Sequence, residues 1–290
     1  MKIFSVILMA LVSVFSRVPA AESISADSYP QSVLFDVVTD HLSEQTDDVR
    51  KKLLFIGYDG FRADCLPVIT SDGVGAVSRV ASEGCLISTY AGGTAEAPQQ
   101  TSTAAGWCSI LTGKGAAESG VWNNKSVKRD SAETFLTAAV KMGYSCAFVS
   151  SYPSHYENTL IRDIKRAKKE DLGINYIRTA DDTETKDTAL SLIEGGKYDV
   201  VFVIFEYTDT AGHKYGFSAE EEPYREACIT ADKAGAELLD AAAKSDSITD
   251  DRLVVITTDH GGIGRRHGGQ SESERSTWAA VNKPFEGLLI

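Results

Sequence analysis

Four separate apolar runs constrain the fold of this chain more than any other feature. They lie within the segments KLLFIGYDG, SCAFVSS, YDVVFVIFEY and DRLVVITTD, which begin at residues 52, 145, 198 and 251. Continuous apolar runs of this length are typical of parallel strands that are covered on both faces. Helical patterns lie between them, at residues 74–81, 103–111, 132–142, 185–193 and 220–243. The alternation predicts an α/β fold with a doubly wound, mostly parallel central sheet and helices on both faces.

The first 50 of the 290 residues differ from the rest. Residues 1–21 combine Lys2, an apolar run from Ile3 to Phe15 and small residues near Ala20, which is the pattern of a secretory signal peptide. An uncleaved anchor is the alternative, although the run is short for a membrane span. We therefore expect a secreted, periplasmic or otherwise lumenal protein. Residues 22–50 are interpreted as a polar leader with a short helix at 33–42, and residues 51–290 as one catalytic domain.

Composition limits the partners. The net charge is −12, from 29 basic and 41 acidic residues, which argues against nucleic acid as a partner. A small phosphate ester held by metal ions remains compatible with that charge. No later segment is apolar enough to predict a stable membrane span. The five cysteines have no CxxC spacing, so their pairing stays open, as does the oligomeric state.

Polar residues follow three of the predicted strands at the point where each strand ends. In open α/β sheets, ligands bind at the carboxyl ends of the strands. A single aspartate there is more often a helix cap, and a single histidine is as often a packed side chain, but three strand ends share this chemistry. Aspartate and neutral histidine suit Zn²⁺, and Mn²⁺ less selectively. The six candidate ligands, enough for two ions with three each, are Asp59, Asp209, His213, Asp259, His260 and His267.

Two of these predictions concern local conformation. Ala211 and Gly212 stand between Asp209 and His213, and we expect a loop there rather than a helical turn. Glycines flank His267, and they would let the backbone fold back towards His260.

A nucleophile is expected where the segment TSTAAGWCSILTGK enters a helix, with Thr103 near its start. A helix start offers free backbone N–H groups and the positive end of the dipole, which suits a phosphate group. Coordination to a metal ion is one way to activate a threonine hydroxyl. The alternative is that Ser102 and Thr103 are simply helix N-caps.

Together these motifs resemble the alkaline phosphatase superfamily and, within it, the type I phosphodiesterase/nucleotide pyrophosphatase-like branch. The matching pieces are YDGFRAD at 58–64, TAAGWCSILTG at 103–113, GVWNN at 120–124, DTAGH at 209–213 and TTDHGGIGRRHGG at 257–269. The resemblance implies an alkaline phosphatase-like fold and two zinc ions. One ion would be held by Asp209, His213 and His267, and the other by Asp59, Asp259, His260 and the Thr103 hydroxyl.

The resemblance also implies that Thr103 attacks phosphorus and forms a phospho-threonine intermediate, which is then hydrolysed. Asn124 would bind a non-bridging phosphate oxygen, with the backbone N–H of Thr103 as its partner. The implied substrate is a small-molecule phosphate ester, cleaved by a phosphodiesterase or nucleotide pyrophosphatase.

The chain departs from that pattern in ways that leave alternatives open. Only residues 261–266 separate His260 of the DHG motif from the last histidine, where nucleotide pyrophosphatases carry a long insertion, so nucleotide specificity is in doubt. A phosphomonoesterase is the first alternative, with Arg62, Arg265 and Arg266 as candidates to neutralise the extra charge. A sulfatase would need a modified cysteine at position 103, and Cys108 lies five residues into the helix. An inactive zinc-binding homologue is the third alternative, and the leaving group is open.

Overall fold

One sheet of eight strands organises the protein. The computed structural model describes residues 28–44, 48–126 and 132–285, so the predicted signal peptide at 1–21 lies outside the described residues. The strand order across the sheet is β1-β3-β8-β7-β2-β6-β4-β5. The strands are β1 Tyr29–Pro30, β2 Arg50–Tyr58, β3 Cys85–Tyr90, β4 Cys146–Ser150, β5 Ile174–Arg178, β6 Val200–Phe205, β7 Asp250–Thr257 and β8 Ser276–Val281.

The sheet is mostly parallel. Five neighbouring strands, from β7 through β2, β6 and β4 to β5, all run in one direction. Only β8 runs against its neighbours β7 and β3, while β1 is parallel to β3. The predicted fold class, a doubly wound and mostly parallel sheet, is confirmed.

Helices cover both faces of this sheet. Their bounds are α1 Val33–Ser43, α2 Leu66–Thr70, α3 Ala76–Glu83, α4 Thr103–Thr112, α5 Ala116–Ser119, α6 Phe135–Lys141, α7 Ile161–Glu170, α8 Asp182–Glu194, α9 Tyr207–Tyr215, α10 Glu222–Ser245 and α11 Glu272–Arg275. A 3₁₀ turn at Ala63–Cys65 and a π-helix at His155–Thr159 complete the regular elements of the described chain.

Two separate hydrophobic cores lie on the two faces of the sheet. Within β2, Leu53 and Phe55 contribute to one core, and Leu54 and Ile56 to the other. Side chains of a strand alternate between faces, so a strand that is apolar at every position must be covered twice. Helices α1, α4 and α6 cover the first face, and α3, α8 and α10 cover the second.

Most predicted helices form, with shifted ends. The helix predicted from residue 132 begins instead at Phe135, because the Thr134 side chain accepts a hydrogen bond from the Thr137 amide and caps it. The helix predicted at 33–42 is α1, whose Leu34 and Val38 are fully buried. The domain boundary at residue 51 remains a prediction, although α1 packs onto the same core as the sheet. Every helix within the described residues is too short or too polar to cross a membrane.

Candidate functional site

The carboxyl ends of three adjacent strands bring the predicted metal ligands together. Strand β2 lies between β7 and β6, so Asp59, which follows β2, stands between the residues that follow the other two strands. Asp259 and His260 follow β7, and Asp209 lies in the first turn of α9 after β6. The fold thus delivers these side chains from three strand ends to one edge of the sheet.

One group consists of Asp59, Asp259 and His260, all fully buried. The Nε2 atom of His260 is 3.5 Å from Asp59 Oδ1 and 3.5 Å from Asp259 Oδ2. Because metal–ligand bonds to nitrogen and oxygen are about 2.0–2.2 Å long, two ligands of one ion lie at most about 4.2 Å apart. Both separations from His260 satisfy that limit, and all three ligand atoms lie within 4.8 Å of one another, so this group is a candidate site for one ion.

A second group consists of Asp209, His213 and His267. Asp209 Oδ2 is 3.4 Å from His213 Nε2, and Asp209 Oδ1 is 3.7 Å from His267 Nε2. The two histidine Nε2 atoms are 3.2 Å apart. These three side chains are a second candidate site for one ion, and Asp209 and His267 also offer ligand atoms within 4.8 Å of one on His260. The division of the ligands between two ions stays a prediction. His260 lies close to both groups, because its ring stacks on that of His267 with centroids 3.9 Å apart.

The expected loop between Asp209 and His213 was wrong. Both residues lie on helix α9, one turn apart, which places their side chains on the same face. Gly212 is required for packing rather than for a turn, because a Cβ atom there would lie 2.3 Å from Cε1 of Phe217. The helix continues through a glycine that the sequence alone suggested would break it.

The segment after His260 folds back over the site. Ile263 and Arg266 pair as an isolated antiparallel bridge, and Gly264 and Gly268 adopt positive φ angles of 56° and 108°. Glycine adopts such angles readily, and the turn at Gly264 lies in the segment that returns His267 to His260, while Gly268 follows His267 directly.

All three histidines are oriented by backbone carbonyl groups. The Nδ1 atoms of His260, His213 and His267 lie 2.8, 3.1 and 2.9 Å from carbonyl oxygens. An Nδ1–H that donates to a carbonyl fixes the tautomer and leaves Nε2 as the bare ligand atom. Two bare Nε2 atoms that face each other at 3.2 Å repel each other unless a proton or a metal cation lies between them.

Four buried polar atoms at this edge have no hydrogen-bond partner within the described chain. They are Asp59 Oδ1, Asp209 Oδ1, Asp259 Oδ2 and His260 Nε2. Buried polar atoms are almost always paired, so unpaired atoms at one place indicate a bound ion. All four belong to the predicted ligand set, and the residues present therefore fit a pair of divalent cations.

The electrostatics point the same way. Burial, with the charges of Glu206 and Asp209, raises the pKa of Asp59 well above its usual range. Burial and the charge of Asp59 likewise raise the pKa of Asp259, and burial lowers the pKa of His260. A bound divalent cation would lower the pKa values of the two carboxylates, because it favours their ionised form. It would also keep the pKa of His260 low, because it favours neutral imidazole.

Helix α4 is held directly against the metal ligands. Trp107 Nε1 donates a hydrogen bond of 2.8 Å to Asp59 Oδ2, and Gly106 lies against the backbone of Asp259. The carbonyl oxygen of Thr101, just before the helix, contacts His267. Thr103, the predicted nucleophile, is the first residue of α4 and is buried beside these contacts.

The Ser102 side chain does not cap helix α4, and the second amide of the helix is bonded to Asn124. Ser102 occupies the N-cap position, yet its side chain makes no capping hydrogen bond, and its Oγ is buried without a partner in the described chain. The amide of Ala104 is used by Asn124, whose Oδ1 accepts a 2.8 Å hydrogen bond from it. Because Oδ1 must be the acceptor, the Nδ2 donor of Asn124 remains for another partner.

Sequence reasoning assigned no role at the site to two further residues. Glu206 immediately follows β6, and its Oε1 lies 2.9 Å from Nε2 of His155, which is fully buried in the π-helix after β4. The strand-end rule already pointed to Glu206. His155 had no pattern around it, because a π-helix has no periodic signature.

The arginines proposed for charge neutralisation separate into two kinds. Arg62 donates to the carbonyl oxygens of Phe217 and Gly262 and to both carboxylate oxygens of Asp64, so its donors are already engaged. Arg265 and Arg266 are exposed on the short segment before His267.

A cavity of about 510 Å³ opens beside the second group, and its lining includes Tyr152, Glu206, Asp209, His213 and Lys214.

Comparison with known proteins identifies the family. The family model described as type I phosphodiesterase/nucleotide pyrophosphatase matches residues 53–264. No curated protein matches the sequence.

The solved structures with a similar fold are distant in sequence. Murine ectonucleotide pyrophosphatase/phosphodiesterase 5, in an inactive form in complex with AMP, is 14% identical with a TM-score of 0.52. The match covers 73% of this chain and 57% of that one. A putative sulfatase from Bacteroides thetaiotaomicron is 13% identical with a TM-score of 0.55, over 81% and 65% of the two chains. An alkaline phosphatase superfamily protein from Vibrio parahaemolyticus is 14% identical with a TM-score of 0.53, over 88% and 70%.

These likenesses establish the fold. The chain spans little more than half the length of the murine protein.

Proposed function

Because the chain belongs to the type I phosphodiesterase/nucleotide pyrophosphatase family, a metal-dependent family of phosphoester hydrolases, we propose that it is an exported two-zinc phosphodiesterase that acts through Thr103. The expected intermediate is a phospho-threonine, and Mn²⁺ is a possible substitute for Zn²⁺. The substrate would be a small-molecule phosphate diester.

One observation carries this proposal. Six side chains of the ligand types lie in two groups at one sheet edge, and four of their buried atoms lack any other partner within the described residues. The start of a helix with a threonine at its first position lies against the same groups. A hydroxyl, two cation sites and free helix amides in one place are the components that phosphoryl transfer requires.

When bound, the ions would supply Lewis-acid polarisation of the phosphoryl oxygens and of the attacking hydroxyl. The remaining roles belong to the chain. Thr103 Oγ would lose its proton and attack phosphorus, the bond to the leaving oxygen would break, and that oxygen would depart as an alcohol after it takes up a proton. Water would then attack phosphorus and break the bond to Thr103 Oγ, which regains a proton as the phosphate monoester is released. The Thr103 amide at the start of α4 and the Nδ2 donor of Asn124, whose Oδ1 is held by the Ala104 amide, would bind the non-bridging oxygens, which gain charge as the reaction proceeds.

The engaged donors of Arg62 support a diester rather than a monoester as substrate. A monoester carries one more negative charge, and Arg62, the candidate closest in sequence to Asp59, already donates to backbone carbonyls and Asp64. That leaves the exposed Arg265 and Arg266 for the monoesterase alternative.

The test compares zinc-loaded mature protein on bis-p-nitrophenyl phosphate and on p-nitrophenyl phosphate. Thr103→Ala should abolish turnover, and Thr103→Ser should retain part of it because a hydroxyl remains. Thr112→Ala is the matched control, since it removes a buried threonine hydroxyl from the other end of the same helix, where it donates to Cys108.

The outcomes separate the candidates. Higher kcat/KM on the diester, lost only in Thr103→Ala, supports the proposal, and trapping of a p-nitrophenyl phosphoryl group on Thr103 by mass spectrometry would identify the intermediate. Preference for the monoester would make the protein a phosphatase. Turnover that survives Thr103→Ala would refute the nucleophile. Export is tested separately, by the N-terminal mass of the protein recovered outside the cytoplasm.

A further inference from the structure

The segment 99–101, which leads into helix α4, lies directly against the segment that carries His267. The carbonyl oxygen of Thr101 is 2.9 Å from Nδ1 of His267. Two residues earlier, the carbonyl oxygen of Gln99 accepts a hydrogen bond from the side chain of Gln270. The entry to the nucleophile helix and the last histidine ligand are therefore joined at two points, although they are far apart in the sequence.

The hydroxyl group of Thr101 adds two hydrogen bonds to the same segment. Its oxygen donates to the carbonyl oxygen of Gly269 over 3.0 Å and accepts from the amide of Gly268 over 3.1 Å. Thr101 is fully buried, so the loss of this hydroxyl would leave two backbone groups without a partner. Because the single hydroxyl proton is already donated to Gly269, Thr101 is not itself available as a nucleophile.

The backbone between Thr101 and Thr103 links this contact to the nucleophile. Ser102 is extended, with φ −142° and ψ 153°. An extended residue places the side chains on either side of it on the same side of the backbone. Thr103 therefore faces the side on which Thr101 meets the His267 segment, and a displacement at Thr101 is passed to Thr103 through a single intervening residue.

The His267 segment is fixed at its far end by Glu274, which is buried. Glu274 Oε1 accepts a hydrogen bond of 2.7 Å from the Gly269 amide, and Oε2 accepts one of 3.1 Å from the Ser271 amide. A Cβ atom at Gly269 would lie only 2.5 Å from Glu274 Oε2, so the segment is closely packed on this side. With the far end fixed, Thr101 is the contact that sets the position of His267 relative to helix α4.

We propose that the Thr101 hydroxyl is a positioning group that holds the metal ligand His267 and the nucleophile Thr103 at a fixed spacing. Without it, the His267 segment and the start of helix α4 could separate. Loss of support for a metal ligand typically lowers metal affinity by about 10–100-fold. A displacement of the reacting groups by about 1 Å can lower the rate by about 100-fold. This inference rests on the proposed function, because it requires both roles.

The test uses two substitutions of Thr101 in the mature protein. Thr101→Val removes the hydroxyl and keeps the shape of the side chain, whereas Thr101→Ser keeps the hydroxyl. Thr112→Val is the matched control, because Thr112 is a buried threonine of the same helix whose hydroxyl donates to the carbonyl oxygen of Cys108. Three quantities are measured: Zn²⁺ affinity by competition with a chromophoric chelator, kcat and KM on bis-p-nitrophenyl phosphate at saturating Zn²⁺, and the visible spectrum of the Co²⁺-loaded protein.

Thr101→Val should weaken Zn²⁺ binding at one of the two ions by about 10–100-fold and change the Co²⁺ spectrum, because the position of His267 changes. It should also lower kcat by about 100-fold with little change in KM, because the nucleophile is displaced while the groups that bind phosphate remain. Thr101→Ser and Thr112→Val should match the wild type in all three measurements.

Wild-type Zn²⁺ affinity and kcat in Thr101→Val would overturn the positioning role, even with a lower Tm, because the hydroxyl would then only stabilise the fold. Equal damage in Thr101→Ser would also overturn it, since the methyl group rather than the hydroxyl would matter. If Thr101→Val fails to fold, Thr101→Ala, which leaves room for a water molecule, replaces it in the same measurements. A wild type that binds no Zn²⁺ and cleaves no diester refutes the proposed function, whereas an active wild type with unaffected variants refutes the positioning role alone.

Discussion

Substitution of Gly106 by alanine should damage the metal site while leaving the fold in place. A Cβ atom at Gly106 would lie 2.6 Å from the carbonyl oxygen of Asp259 and 2.9 Å from its Cβ. Carbon–oxygen contacts require about 3.3 Å, so helix α4 and Asp259 would have to separate by about 0.7 Å (3.3 minus 2.6). The obstacle is backbone rather than the end of a flexible side chain, so it cannot simply rotate away.

The size of the effect follows from that displacement. Overpacking of this kind costs about 1–3 kcal/mol, partly offset by the roughly 1 kcal/mol by which alanine favours a helix over glycine. The free energy of unfolding should therefore fall by about 0–2 kcal/mol, which leaves the protein folded. Metal sites tolerate shifts of only about 0.5 Å, and disturbed ligand support typically lowers metal affinity by about 10–100-fold. The prediction is a Zn²⁺ affinity weaker by about 10–100-fold with a nearly unchanged fold.

The assay is competition for Zn²⁺ against a chromophoric chelator, with urea unfolding of the metal-free protein beside it. Gly115→Ala is the control, because Gly115 has a φ of −74° and a Cβ added there would have no neighbouring atom within 4 Å, so it should change neither quantity. Wild-type Zn²⁺ affinity in Gly106→Ala would refute the close packing of α4 on Asp259. A loss of fold equal to the loss of metal would show that the glycine serves stability rather than the site.

Three further predictions test the site and its surroundings. Removal of metal by a chelator should lower Tm, because the buried carboxylates are then left unpaired. A free Zn²⁺ concentration of 1,000 times Kd adds about 4 kcal/mol to the free energy of unfolding, and calorimetry with zinc added back measures this gain. Asp232→Asn should change how the free energy of unfolding depends on pH. Burial raises the pKa of Asp232 to about 6, so the stabilising contribution of the protonated Asp232 is complete below about pH 4 and is lost as pH rises through 6. The wild type should therefore lose up to about 3 kcal/mol relative to the variant over that window, in urea titrations from pH 4 to 7, whereas parallel profiles would contradict this account. Asp199→Ala should lower the free energy of unfolding in urea by about 2 kcal/mol. The Asp199 side chain is only 4% exposed, and it accepts hydrogen bonds from Arg50 and from the Ser145 amide. An unchanged urea midpoint would contradict a stabilising role for these hydrogen bonds.

The strands that could be predicted from the sequence are those in which nearly every residue is apolar. Strands β2, β6 and β7 are buried on both faces over most of their length, so the apolar run is conspicuous. Strand β3 alternates between exposed and half-buried positions near the sheet margin, and β5 is only half buried. Their sequences, CLISTY and INYIR, lack the continuous apolar run, and they were missed for that reason.

The site residues that could be predicted depend on local sequence, and the features that could not be predicted depend on contacts between distant residues. Asp59, Asp259 and His260 were predictable because each follows a conspicuous strand directly. The helix through Asp209 and His213 was not, since the reason for Gly212 is the ring of Phe217, which packs against it only in the folded chain. The contact between Trp107 and Asp59 likewise joins residues 48 positions apart.

The strand order explains why the charges of the site must be considered as one row. Along the chain the strand-end residues occur as Asp59, His155, Glu206 and Asp259, but in space the order β7-β2-β6-β4 rearranges them. Asp259 comes first, then Asp59, then Glu206 and finally His155, so Asp59 lies between the residues on its two sides. A carboxylate in that position is shared by any cations that bind on those two sides. Substitution of Asp59 by asparagine should accordingly lower the number of ions retained per chain, and elemental analysis of the variant beside the wild type measures the loss directly.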